Sequence, residues 1–154
     1  MAAGDGWESW LIVGLAEHLA AAGLGTWRPT GAYLASEIAI VDRGIPQTPD
    51  QLITLADYVV SGSARSGLAD MTVGIQIRLR GTADPRVVSD LGAEIFDLLD
   101  QSGQQTWGTA PRQVSIVDVW RQSYTSLGFD GNGRWETSHN FYVEAMRPTA
   151  HRTD

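Results

Sequence analysis

The sequence contains neither cysteine nor lysine. Without cysteine, the chain cannot form disulfides, thiolate-ligated zinc sites, iron–sulfur clusters or a thiol nucleophile. Without lysine, it cannot complete the phosphate-binding motif G-x-x-x-x-G-K-[ST], and no G-x-G-x-x-G follows a strand-like segment. No serine lies in the G-x-S-x-G pattern of hydrolases. Thiol chemistry and the usual nucleotide-binding loops are therefore excluded.

Positive charge is scarce as well. The 11 basic residues are all arginine, and they face 18 aspartates and glutamates, so the net charge is −7. Proteins that grip nucleic acid concentrate positive charge on one face. An acidic chain with dispersed arginines is therefore not expected to bind DNA tightly, although DNA can pass near it.

Long hydrophobic runs are also missing. No stretch of about 18 apolar residues occurs, and no basic region precedes a short apolar stretch at the N-terminus, so we expect neither a membrane span nor a signal peptide. A chain of 154 residues suits one domain that buries about 70% of its unfolded surface. We expect residues 1–154 to form a single domain, with flexible ends at about 1–5 and 149–154.

Two segments have the apolar spacing of helices. In Trp7–Ala22, apolar residues recur every three to four positions, which predicts an amphipathic helix. Asp5 is its predicted cap, with Glu8 completing a capping box, and Gly23 is its predicted stop. A second helix is predicted from near Pro85 to about residue 100, and its predicted buried stripe is Val88, Leu91, Ile95 and Leu98 or Leu99. Its acidic side is most simply a solvated face, the alternatives being a passage lining or a contact with a basic partner.

Strand-like segments fill much of the remaining chain. They are residues 36–41, 52–60, 71–80, 113–121 and 134–146. Met71–Arg80 alternates most clearly, with Arg78 and Arg80 on the face opposite to the core. The glycine-rich segment 126–133 predicts an antiparallel hairpin. The order αβββαββ predicts an α+β fold, a mostly antiparallel sheet with two helices packed on one face.

Candidate metal ligands do not form a recognisable set. His18, His139 and His151 have no partner at metal-ligand spacing, and packed or surface roles are the simpler interpretation of each. The run from Asp130 to Glu136 carries alternate oxygen-bearing side chains, but an arginine occupies a ligand position and a tryptophan replaces the required glycine of a calcium loop. The prediction is therefore no catalytic residue, no metal and no cofactor.

Six tryptophans are present, and two of them lie in irregular segments. Loop tryptophans serve either as packing plugs or as anchors of protein interfaces. Together with arginines on predicted non-core surfaces, they supply the candidate interface residues. These candidates are Trp27, Arg65, Arg78, Arg80, Trp107 and Arg134.

Several weak motifs, in a fixed order, resemble one family. They are LAAAGLGTWRPTGAY, AIVDRGIPQTPDQLITL, VGIQIRLRGTADPRVVSDLGAEIFDLL and SLGFDGNGRWETSHNFYVEAMRP. From about residue 7 to 152, the chain resembles the tail terminator proteins of long-tailed phages, which are often labelled minor capsid proteins in actinobacterial phages.

The resemblance implies a structural virion protein and no enzymatic activity. Its members form a ring, commonly of six subunits, at the head-proximal end of the tail tube, where the ring stops tube growth and offers a surface for head-to-tail joining. The implied partners are further copies of the chain, the tail tube protein and a head connector or head-completion protein, with DNA passing through the lumen. The implied location is the virion, after synthesis in the host cytoplasm.

Other functions stay open on the residues alone. A head-completion or neck adaptor, or a tail-tube subunit, could share this size and composition. A small α+β enzyme or ligand-binding domain would instead require a pocket with convergent polar groups.

Overall fold

A computed structural model describes residues 1–60 and 69–152. Its helices and strands are, in chain order, α1 (Trp7–Ala21), β1 (Thr26–Trp27), β2 (Ala39–Asp42), β3 (Leu52–Val59), β4 (Asp70–Arg80), α2 (Pro85–Leu99), β5 (Gln105–Trp107), β6 (Val114–Phe129) and β7 (Trp135–Met146). The α+β class is confirmed. The loop predicted over residues 61–70 lies largely outside the described residues.

The strands form one seven-stranded sheet in the order β1-β2-β3-β4-β7-β6-β5. The pairs β1–β2 and β2–β3 are parallel, and the other pairs are antiparallel. The sheet is therefore mixed, and the prediction of a mostly antiparallel sheet in the order αβββαββ was wrong. The short strands β1 and β5 lie in glycine-rich segments with no apolar alternation. The pair β2–β3 is parallel because segment 43–51 carries the chain back to the end of the sheet at which β2 begins, which a tight turn cannot do.

The centre of the sheet is the pairing of β4 with β7. All 11 residues of β4 pair with β7, from Asp70 opposite Met146 to Arg80 opposite Glu136. The predicted alternation of β4 is confirmed on its core face, which consists of buried Val73, Ile75, Ile77 and Leu79. On β7 the same face carries Phe141 and Val143, which are also buried. Cross-strand apolar pairs of this kind stabilise a sheet and fix its register.

One hydrophobic core joins both helices to the sheet. The buried residues of α1 are Leu11, Ile12, Gly14, Leu15, Ala16 and Leu19. The buried residues of α2 are Val88, Leu91, Gly92, Ile95 and Leu99, which matches the predicted stripe. Burying such a leucine or isoleucine side chain contributes roughly 1.5–3 kcal/mol, so this core supplies most of the favourable free energy of folding.

The N-terminus of α1 is capped differently from the prediction, whereas its C-terminus ends as predicted. Its N-cap is Gly6, which makes no side-chain cap, so the prediction of Asp5 as cap was wrong. The Asp5 carboxylate instead accepts a hydrogen bond from Arg112 at 2.7 Å, and Glu8 accepts one from Arg147 at 2.6 Å. At the other end, Gly23 has a φ of 79° and stops the helix as predicted.

The cap of α2 follows the local signals. Asp84 is the N-cap, and its Oδ1 accepts a hydrogen bond from the Arg86 backbone at 3.0 Å. Pro85 occupies the first helical turn, where its missing N–H costs nothing. The hairpin of β6 and β7 is also confirmed. However, β6 continues to Phe129, well past the predicted end at residue 121, and its register shifts at three places.

We predict that Ile75→Asp prevents folding, because it places an unpaired charge at the centre of the core. Ile75 is 0% exposed, whereas its neighbour Gln76 points to the opposite face and is exposed. Gln76→Asp is therefore the matched control and should leave a folded protein. Circular dichroism and the soluble fraction would measure both variants. A soluble, cooperatively unfolding Ile75→Asp protein would contradict the strand register.

Candidate assembly surfaces

Arg80 lies beneath the segment that connects β2 to β3. Its side chain is only 2% exposed. Its Nε donates to the Asp50 carbonyl oxygen at 2.8 Å, and its Nη2 donates to the carbonyl oxygens of Pro46 at 2.6 Å and Pro49 at 2.8 Å. Hydrogen bonds from a charged donor contribute more than neutral ones. Arg80 therefore fixes this segment on the sheet.

A second buried arginine completes the same network. Arg134, which is 6% exposed, donates from Nη1 to the Gln47 carbonyl oxygen at 2.6 Å and pairs through Nη2 with Asp130 at 2.8 Å. The Asp130 Oδ1 accepts hydrogen bonds from the backbone N–H groups of Arg134 and Asn132, both at 2.9 Å. The Arg134 backbone N–H is the main cause that lowers the pKa of Asp130 to about 2. The oxygens that resembled calcium ligands thus close the β6–β7 turn.

These contacts correct the sequence interpretation of two candidate interface residues. Alternation along β4 placed Arg80 on the face opposite to the core, and Arg134 was predicted to begin the last strand, on a non-core surface. The prediction that these side chains are exposed was wrong, because segment 46–50 covers both of them. Strand alternation tells which side chains share a face, but it does not tell whether a loop folds over that face.

Arg78 lies on the same face and is half-buried. Its Nη2 donates to both carboxylate oxygens of Glu136, at 3.2 and 3.1 Å. Neighbouring cross-strand pairs on this face are also polar, with Gln76 donating to Ser138 at 3.1 Å. Arg78→Glu would set two carboxylates against each other and so would affect the subunit as well as any contact. Arg78 stays a candidate for contact with a partner.

The two loop tryptophans differ in their surroundings. Trp107 is 1% exposed, its ring stacks on His18 at 5.8 Å, and its Nε1 donates to Gln105 Oε1 at 2.9 Å. Trp107 packs so closely on α1 that a Cβ added at Gly14 would lie 2.9 Å from the Trp107 Cβ. Trp107 is therefore a packing residue within the subunit. Trp27 is partly buried against the core, and Arg65 lies outside the described residues.

His139 is packed in the interior, as its strand face indicated. It is 2% exposed, its Nε2 lies 3.0 Å from Thr137 Oγ1, and its ring centroid lies 4.7 Å from that of Tyr124. A Cβ at Gly92 of α2 would lie 3.0 Å from the imidazole, so glycine lets the helix approach the ring. Burial, helped by Arg121, lowers the pKa of His139 from 6.5 to about 4.

Two exposed apolar surfaces were not predicted from the sequence. The first is the outer half of β6, Gln122–Phe129, here called the β6 edge, which exposes Tyr124, Leu127 and Phe129. The second, here called the Tyr58 cleft, is formed by Trp7, Tyr58, Val59, Met71 and Val73. The sequence signal for the β6 edge was the aromatic and β-branched character of Tyr124, Thr125 and Phe129, beyond the predicted strand end. For the Tyr58 cleft, only the structure shows that Val59 at the end of β3 is exposed.

Potential metal ligands do not cluster in the part of the chain that the structure describes. Within residues 1–60 and 69–152, no group of three or more histidines, aspartates or glutamates could hold a metal ion. In the same ranges, neither helix has the length and apolar character needed to cross a membrane.

Comparison with known families assigns the chain to the structural proteins of phage tails. The family model described as bacteriophage tail terminator protein matches residues 18–146, which is most of the chain, so the chain belongs to this family. No curated protein matches the sequence. The family resemblance deduced from the ordered sequence motifs is thereby confirmed.

We predict that Arg80→Ala lowers the free energy of unfolding by roughly 2–4 kcal/mol, because three loop carbonyl groups lose a charged donor in a buried site. Arg86→Ala is the matched control, since the Arg86 side chain is 84% exposed and pairs only with Asp84 at the surface. Its effect should be much smaller. Urea denaturation would measure both. Equal destabilisation by the two substitutions would contradict the role assigned to Arg80.

A pH prediction follows from His139. The unfolded chain takes up a proton near pH 6.5, whereas the folded chain takes it up only near pH 4. The neutral His139 therefore leaves the free energy of unfolding at its full value above pH 6.5. As the pH drops from 6.5 towards 4, this free energy falls by up to about 1.4 kcal/mol per pH unit. His139→Gln should flatten this dependence, while His151→Gln, in the exposed C-terminal segment, should not. Urea denaturation from pH 7 to 4 would measure the free energy of unfolding of each protein. The same pH dependence for wild type and His139→Gln would contradict the prediction.

Proposed function

We propose that this protein assembles into a ring at the head-proximal end of the tail tube, where it stops tube polymerisation and provides the surface for head-to-tail joining. The observation that carries this proposal is the match of residues 18–146 to the tail terminator family. The proposed partners are further copies of the chain, commonly six to a ring, together with the tail tube protein and a head connector or head-completion protein.

The shape of the subunit supports a ring. A head-to-tail ring needs two different surfaces on each subunit, since a single self-complementary surface closes a dimer. The β6 edge and the Tyr58 cleft are two such surfaces, and both expose apolar side chains. Exposed apolar patches on an otherwise polar surface mark sites of protein association.

The charge distribution supports passage of DNA through the ring without tight binding. In the described part of the chain, seven arginines pair with carboxylates. On α2, Asp90, Glu94 and Asp97 are exposed. Paired arginines leave little positive potential for phosphate groups, and a lumen with acidic residues repels them.

We predict that a phage lacking this gene produces overlong or unjoined tails, because nothing then stops tube growth or links the tail to the head. Electron microscopy of the lysate would measure tail length and joining, and a plasmid copy of the gene should restore both. Tails of normal length beside heads that leak DNA would indicate a neck adaptor instead. Absence of tail tubes would indicate a tube subunit.

The assembly itself can be measured directly. The purified protein, alone and with tail tubes, should form closed rings with a central hole in negative stain, and light scattering should give their mass. A chain that is monomeric under both conditions and does not bind tube ends would contradict the proposed function.

A further inference from the structure

The outer edge of β6 is paired along only part of its length. At its start, β5 pairs with Val114–Ile116. Next, the residues after α2 bind it: the Val119 carbonyl oxygen accepts from Gln101 N at 2.6 Å, and the Arg121 N–H donates to Asp100 Oδ1 at 2.8 Å. From Gln122 to Phe129, no further strand of the described ranges pairs with this edge. Apart from the Gly128 N–H, which donates to Ser126 Oγ at 3.4 Å, the outer backbone groups of the β6 edge have no strand partner in the described ranges.

This edge lacks most of the features that protect free strands from association. Proteins usually place lysine, other charges or proline on exposed edges. The β6 edge contains no charged residue and no proline, and its register shifts at only two places within this stretch. It also exposes Leu127 at 44% and Phe129 at 65%. An uncharged edge with exposed apolar side chains is suited to a protein contact.

The Tyr58 cleft has matching chemistry. The Tyr58 ring lies across Gly74, where a Cβ would come within 2.3 Å of the ring, and Val59 beside it is 94% exposed. The two carboxylates that border the cleft are already neutralised within the subunit, Glu8 by Arg147 at 2.6 Å and Asp57 by Arg43 at 2.8 Å. Apolar side chains of an uncharged segment can therefore enter without leaving an unpaired charge behind.

The two surfaces lie at opposite ends of the sheet. Phe129 pairs with Trp135 at the start of β7, whereas Val59 pairs with Val73, which pairs with Val143. Eight residues of β7 separate these rows, which at the usual strand rise is roughly 26 Å. A subunit can therefore contact two neighbours at once, one through each end. This arrangement gives a ring when the rotation between subunits closes.

We infer that the β6 edge of one copy packs into the Tyr58 cleft of the next copy, with Leu127 and Phe129 as the inserted side chains. This contact rests on the proposed ring and identifies which surfaces of the subunit form it. The partner is a second copy of the same chain because each copy carries both halves of the contact at opposite ends.

The absence of cysteine makes the contact testable by thiol cross-linking. The double variant Val59→Cys/Leu127→Cys carries one thiol on each surface, and both positions are exposed. Treated with a short bismaleimide in assembled rings, it should give a ladder of covalent multimers up to the full ring. A mixture of the two single variants should stop at dimers. Val59→Cys/Glu94→Cys, with its second thiol on the exposed face of α2, is the matched control and should give no ladder.

The outcomes separate this contact from the proposed function. Rings of normal appearance without a ladder would overturn the contact and leave the proposed function standing. Cross-linked dimers of Leu127→Cys alone would show that like surfaces meet, which also overturns it. A wild-type chain that forms no ring and binds no tube end would overturn the proposed function, and the contact with it. Circular dichroism of each variant confirms that it is folded.

Discussion

The antiparallel pairing of β4 with β7 is the contact on which the rest of the structure depends. It joins segments that are far apart in the chain, and its 11 residue pairs run the full length of β4. One face of this pair carries the apolar residues that pack with the helices in one core. The other face carries a polar ladder that includes Arg78 with Glu136. Loss of this pairing would separate β1–β3 from β5–β6, because β4 and β7 are the only link between these two halves in the described sheet.

Two buried arginines connect that central pair to a hydrogen-bond network at one end of the sheet. Arg80 at the end of β4 and Arg134 before β7 both donate to the carbonyl groups of segment 46–50. Arg134 also closes the turn between β6 and β7 through Asp130. One hydrogen-bond network thus joins the β6–β7 turn, the segment that connects β2 to β3, and the end of β4. A buried polar network whose groups are hydrogen-bonded favours one arrangement of the segments that it joins, and this network includes the turn that follows the β6 edge.

The surface has polar regions whose side chains are paired within the chain and apolar regions whose side chains remain exposed. Most arginines are paired with carboxylates, and the polar ladder on the open sheet face is hydrogen-bonded within the subunit. Apolar side chains remain exposed at the β6 edge and the Tyr58 cleft, at opposite ends of the sheet. In this member of the tail terminator family, most arginines are thus paired within the chain, while these two groups of apolar side chains stay exposed to solvent.

The sequence by itself determined the α+β class, both helices, the buried stripe of α2, the alternation of β4 and the family. These features depend on local periodicity and on motif order, which a single chain displays directly. Only the tertiary structure decided that Arg80, Arg134 and Trp107 are interior residues, and that Asp5 pairs with Arg112 instead of capping α1. It also extended β6 into an exposed edge, so the candidate surfaces differ from most of those predicted. The reason is physical: burial of a polar side chain depends on which distant segment folds over it, and local spacing carries no information about that segment.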